Sequence, residues 1–215
     1  MKVIDQSVQI LMPGAKHVAN DLLRLAEYAG RNCYDSYHKM TYESYKEFIP
    51  GLAKKGHLSP LEFADMTVEM VVGRDVMAEI TRHRVASFAI RSQRYVGDDK
   101  TGEISFVKPD FYVPVESENH DDNWYASRDW EQDMEYVEKR YKRYKELYGL
   151  KNQQRRVILP NSTATVIVMK ANLREWLHIF ELRDSAAAYP KMQEIMHDLY
   201  IKASELYPDV FTKEV

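Results

Sequence analysis

From Arg82 the chain runs Arg-His-Arg-Val-Ala-Ser-Phe-Ala-Ile-Arg-Ser-Gln-Arg, ending at Arg94. Four arginines and a histidine fall within these thirteen residues, and no acid balances them. Guanidinium groups keep their charge at any accessible pH, and their forked donors match phosphate oxygens. The competing reading is a basic helix end in solvent. The small and apolar residues Val85, Ala86, Phe88, Ala89 and Ile90 point instead to a partly buried segment, where arginines need anionic partners. The segment therefore reads as a site for something anionic, planar or both.

Three further groups carry side chains able to act. Gly56-His57-Leu58-Ser59-Pro60-Leu61-Glu62 places a histidine and a hydroxyl at a turn, although a lone histidine there is more often structural. Arg155-Arg156 precedes the apolar run Val157-Ile158-Leu159-Pro160, a pattern that also fits a helix end with an exposed charge. Asn172 suits the N-cap of the helix it opens, and Arg174 and His178, four apart, share one face of it. Arg183 falls at that helix's end, where the dipole favours a cation. The seven histidines show no close spacing of the H-x-x-x-H type and no cysteine cluster accompanies them, so the sequence offers little for a metal.

These residues need a scaffold, and 215 residues suffice for one substantial core. No internal repeat or low-complexity linker divides the chain, so residues 1–215 read as a single domain. A net charge of -3 argues against a general nucleic-acid binder, and a local basic cluster in a mildly acidic protein suits a small anion. No stretch approaches the roughly 20 apolar residues that span a bilayer, and the first residues lack a signal-peptide pattern. With Cys33 as the single cysteine, the chain reads as cytoplasmic.

Periodicity supplies the elements. Residues 3–11 read as a strand and 17–34 as a helix, followed by a second helix over 42–55 that Pro50-Gly51 interrupts or ends. Alternation of Ala64, Met66, Val68, Met70 and Val72 predicts a strand with one buried face. Residues 75–83 read as a helix with the Arg-His-Arg triplet at its C-terminal end, and 97–122 as a polar loop or lid. Trp130, Met134, Val137, Tyr141, Tyr144 and Tyr148 make one stripe of a long helix over 123–148. Residues 163–169 read as β, 173–182 and 186–206 as helices, with Pro190 tolerated in the first turn of the last. Strands and helices without regular βαβ alternation imply α+β.

Taken together, the blocks resemble the flavin-dependent thymidylate synthases. That family's signature is Arg-His-Arg, seven residues, then Ser, which here reads Arg82-His83-Arg84, Val85 to Arg91, Ser92. Arg31-Asn32-Cys33-Tyr34-Asp35-Ser36 is similar to its R-x-C-Y-x-S block, and residues 56–62 to its G-H-x-S/T-P-x-E block. Arg156 to Pro160 and Asn172 to Arg183 come next in the family's order, so the match spans roughly residues 31–192.

The resemblance implies a mixed, largely antiparallel sheet flanked by long helices, in a homotetramer whose sites draw on several subunits. It implies reductive methylation of dUMP to dTMP, with FAD as cofactor and NADPH and methylenetetrahydrofolate as co-substrates, without a cysteine nucleophile. Nucleic acid and membrane are not among the implied partners. His57, Ser59, Arg82, His83 and Arg84 would contact FAD, with Asn172 and His178 near the flavin ring. Ser92, Arg94 and Arg156 would meet the dUMP phosphate, Glu79 would face the nucleotide and Arg183 would reach the uracil edge. Arg183 and Ser92 are the residues expected to serve catalysis. Ala89, Ile90, Arg91 and Lys191 depart from residues common in the family. Two rivals remain at this level: a flavoprotein of this scaffold with altered chemistry, and a non-catalytic nucleotide- or RNA-binding protein.

Overall fold

The computed structural model describes residues 1–12, 15–97, 100 and 102–212. The fold is α+β. In chain order it has strands β1 (Lys2–Ile4) and β2 (Ser7–Ile10), helices α1 (Ala15–Asn32) and α2 (Tyr45–Lys54), then β3 (Asp65–Gly73) leading into α3 (Arg74–Ile80). Next come β4 (Ala86–Ile90), β5 (Ser105–Val107), α4 (Asp122–Tyr148), the single turn α5 (Asn152–Arg155), β6 (Ala164–Asn172), α6 (Leu173–Arg183) and α7 (Pro190–Leu206). A four-stranded sheet has the order β2-β3-β6-β4, and β1 pairs with β5 in parallel, Lys2 opposite Ser105. Hydrogen bonds from Arg74 N to Asn161 O and from Leu173 N to Ala64 O flank β3 and β6, the spacing of an antiparallel pair.

The chain divides into two compact units. The first comprises Met1–Ser7, Val71–Arg82 and Ala89–Ile167; the second begins at Val8 and comprises Val8–Met70, His83–Phe88 and the chain from Val168 onward. In the first, Ile104, Phe106, Met134 and Tyr141 form a core, with Trp130, Val137, Ile158 and Leu159 packed against it. The predicted stripe of α4 thus buries Met134 and Tyr141, while Tyr148 at its end is exposed. Asp121 caps α4 by accepting from Trp124 N, and Gly149 ends it in the left-handed conformation at φ 63°. Buried Arg155 ties the short α5 back to α4, donating to Tyr141 O and to Asn152 Oδ1.

In the second unit α1 buries Ala19, Leu23, Ala26, Glu27, Gly30 and Arg31, one face at helical spacing. A Cβ at Gly30 would lie 2.8 Å from Phe48 Cε1, so glycine there permits the close approach of α2. Trp176 in α6 is fully buried and donates to Met66 O at 3.0 Å. Its ring meets Phe180, and Phe180, Tyr200 and Phe211 pack edge-to-face with one another, closing the core with α7.

Several expectations change. The strand read over 3–11 is two strands, β1 and β2, broken at Asp5-Gln6. Pro50 lies inside α2 and does not end it: the helix runs on to Lys54, with buried Tyr45 and Ile49 holding the turn before the proline and one backbone hydrogen bond lost. The stretch 97–122 is not all loop: Ser105–Val107 forms β5, a strand of three residues whose partner lies a hundred residues earlier. Asp98, Asp99 and Thr101 of that stretch lie outside the described residues. α3 ends at Ile80, so the Arg-His-Arg triplet falls beyond the helix, in a bend.

Candidate active site

The arginine-rich segment divides between the units. In the first unit, Ser92 and Arg94 belong to one tight turn. Ser92 O accepts from Val96 N at 3.0 Å, Ser92 Oγ accepts from Arg94 N at 3.2 Å, and the Arg94 guanidinium lies over the Tyr95 ring. The turn thus binds the hydroxyl and the guanidinium into one local frame. Arg82, Arg94 and Arg156 are exposed, and Glu79 is half-buried on α3.

Arg74, at the start of α3, is a residue that the sequence pattern did not mark. Burial, and then the nearby positive charge of Arg156, lower its pKa from the usual arginine value, and its Nη1 is buried without a hydrogen-bond partner. Two guanidinium groups that repel each other, one of them incompletely bonded, suit a site where an anion completes the charge balance. The sequence signal was present only as a charged residue opening a helix.

In the second unit, Asn172 caps α6 as expected, its Oδ1 accepting from Glu175 N at 2.8 Å. Arg174 and His178 share the exposed face, and with Leu58, Glu62, Val85, Asn172 and Glu181 they line an open groove of about 820 Å³. A second groove of about 400 Å³ is lined by His57, Ser59, Cys33, Tyr34 and Gly56. Leu58 and Arg174 wall both grooves, and Arg174 is held there by Glu62 at 2.5 Å. His57, Ser59, Asn172 and His178 are therefore gathered along adjoining grooves of a size suited to a large, flat ligand.

His83 differs from its neighbours Arg82 and Arg84, which are exposed, because its ring is buried at 7% exposure. Its Nε2 accepts from Arg183 Nε at 3.2 Å, its Nδ1 lies 3.5 Å from Glu175 Oε1, and the His178 ring meets it edge-on at 6.1 Å. Burial and the adjacent Arg183 hold the His83 pKa below the ordinary histidine range against the opposite pull of Glu175. The expected partial burial of the segment holds: His83 is buried and Ala86, Phe88, Ser92 and Gln93 are half-buried, while Val85, Ser87, Ala89, Ile90 and Arg91 are exposed.

Residues 17–209 match the family described as thymidylate synthase complementing protein. The chain belongs to that family, the flavin-dependent thymidylate synthases. A probable flavin-dependent thymidylate synthase of Mycobacterium phage L5 is 29% identical over 198 residues, 89% of this chain and 80% of the relative. The flavin-dependent thymidylate synthase of Mycobacteroides abscessus is 31% identical over 204 residues, 87% of this chain and 77% of that protein. Among solved structures, a UMP/dUMP methylase PolB from Streptomyces cacaoi, bound with 5-Br dUMP, shares the fold. The two superpose with a TM-score of 0.76 at 20% identity over 98% of this chain and 95% of that one.

As a member of this family the chain keeps the full signature, Arg82-His83-Arg84 to Ser92. Lys191, one of its departures, is buried and pairs with Glu194 at 2.5 Å, so its charge is met within α7. Arg91 lines a small cavity of about 120 Å³ in the first unit with Gln93, Thr163 and Thr165. Gln93 Nε2 and both threonine Oγ1 atoms are buried there without hydrogen-bond partners. Glu175, which touches His83, was not singled out by sequence, because its partner lies on a distant segment.

Proposed function

We propose that the protein methylates dUMP to dTMP, with FAD as cofactor, NADPH as reductant and methylenetetrahydrofolate as one-carbon donor. The observation that carries this reading is the family match over residues 17–209, with every signature residue in place. The paired grooves support it, since their volume and their His57, Ser59, Asn172 and His178 lining fit a dinucleotide with a flat ring. In this reading those residues, with Arg82, His83 and Arg84, hold FAD. When bound, FAD supplies the hydride chemistry that completes the methyl group.

The chain's own groups do the rest. Ser92, Arg94 and Arg156 hold the dUMP phosphate, each charge-assisted bond contributing about 1.5–3 kcal/mol, and Glu79 faces the nucleotide. The Arg183 guanidinium at the uracil edge stabilises the negative charge that develops as C5 attacks the one-carbon unit. No cysteine is required, and Cys33 stands exposed in the wall of the smaller groove. The exposed signature strand β4 at the sheet edge suits burial against another copy, in keeping with a homotetramer of shared sites. No helix among the described residues is long and apolar enough to cross a membrane.

Tritium release from [5-³H]dUMP tests the proposal. Release that requires FAD, NADPH and methylenetetrahydrofolate together is expected. FAD binding and NADPH oxidation without release would move the protein to altered flavin chemistry, and the absence of FAD binding would refute the reading.

A further inference from the structure

Arg183 is the residue on which the proposed chemistry depends, and it is the last residue of α6. Its Nε always carries a proton, so the 3.2 Å contact with His83 Nε2 requires a lone pair on that nitrogen. The neutral His83 ring must then carry its proton on Nδ1, the nitrogen 3.5 Å from the Glu175 carboxylate. A proton on Nε2 instead would turn donor against donor and break this contact. The carboxylate, half-buried in the first turn of α6, therefore selects the histidine form that Arg183 needs.

We propose that Glu175 is a positioning residue, which through His83 fixes the tautomer that holds the Arg183 guanidinium in its working orientation. This rests on the assignment of Arg183 to the uracil edge. It gives His83 a task beside the cofactor contact proposed above, with its ring nitrogens facing Arg183 and Glu175. The charged and titratable groups facing the ring are Glu175, Arg183 and His178, all on α6. The low His83 pKa caused by burial and Arg183 keeps the ring neutral at pH 7, as the arrangement demands. Acidification through that pKa would protonate Nε2 and uncouple Arg183.

The test combines kinetics with ¹⁵N resonances of the His83 ring, assigned with a His83→Phe variant, in the full-length protein with FAD. At saturating FAD, Glu175→Ala is expected to lower kcat about 10- to 100-fold, the loss of one charge-assisted contact, with KM for dUMP changed by less than about threefold. Glu175→Gln, which keeps an acceptor for the Nδ1 proton, restores most of the rate, whereas His83→Phe reproduces the loss. In the unmodified protein the His83 resonances should report an Nδ1 proton and a bare Nε2, and in Glu175→Ala a mixture of tautomers. Wild-type turnover in Glu175→Ala, or a proton found on Nε2 in the unmodified protein, would overturn the proposal. The resonances decide the matter even if no dTMP is formed, so failure of the positioning link and failure of the reaction assignment are separable.

Discussion

Arg31 and Glu27 form a buried ion pair one turn apart on α1, and its disruption should be among the costliest single changes in the second unit. The Glu27 side chain is 0% exposed, and Arg31 meets its Oε1 through both Nε and Nη2 at 2.7 Å. Arg31 also donates to Ser36 O at 3.3 Å and lies over the Phe48 ring, while Ser44 Oγ donates to the second Glu27 oxygen. Arg31→Met keeps much of the volume but leaves the carboxylate with one hydroxyl donor. Breaking a buried pair in this way costs about 3–5 kcal/mol. For a chain of this size each kcal/mol shifts Tm by roughly 2–4 °C, so thermal unfolding should fall by about 6–20 °C. Glu27→Gln in the same chain removes the stranded charge and should recover most of the loss, a coupling that a double-mutant cycle reads directly. The turn held by Ser36 leads from Cys33 and Tyr34 in the groove wall, so FAD affinity should fall with stability. A loss below about 1 kcal/mol, or strictly additive variants, would refute the reasoning.

In the first unit, burial pushes the Glu138 pKa up, but the Met1 ammonium, Ile104 N–H and Lys142 outweigh it and hold it below the usual carboxylate value. Its contribution is therefore present above the unfolded pKa and lost as pH falls through the lower folded one; Glu138→Gln should lower stability at pH 7 and flatten the acid limb of a denaturation-versus-pH series. Thr165→Val should raise stability by about 1 kcal/mol in urea unfolding by removing a buried, unpartnered hydroxyl of the small cavity, and a comparable loss would mean that the hydroxyl is bonded in solution. Arg74→Met should weaken dUMP binding about tenfold or more and reduce its dependence on salt in calorimetry, whereas unchanged affinity would separate Arg74 from the phosphate.

How much of the fold was legible in the sequence depends on the range of the interactions involved. Asn172 was legible as a cap because its partner, Glu175 N, is three residues away. The α4 stripe was legible because helical periodicity repeats over six residues of one face. β5 was not, since three residues cannot establish alternation and its pairing with β1 is set by distant chain. The site divides in the same way. Types and spacing marked Arg82 to Ser92 and Arg183, and their family order gave them roles. The burial of His83, its engagement on both ring nitrogens and the part of Glu175 arise from contacts across 92 residues or more, and no local pattern reports them. The partial burial expected of Val85 to Ile90 holds for Ala86 and Phe88 on one face of β4, but composition alone did not say which positions would stay exposed.

The most direct measurement supplies [methylene-¹³C]methylenetetrahydrofolate, dUMP, NADPH and FAD to the protein and monitors the nucleotide by mass spectrometry. The account predicts dTMP carrying the ¹³C in its methyl group, formed only when FAD is present and lost in Arg183→Ala while FAD remains bound. Unchanged dUMP beside oxidised NADPH, or dTMP formed by the Arg183→Ala protein at the full rate, would contradict it.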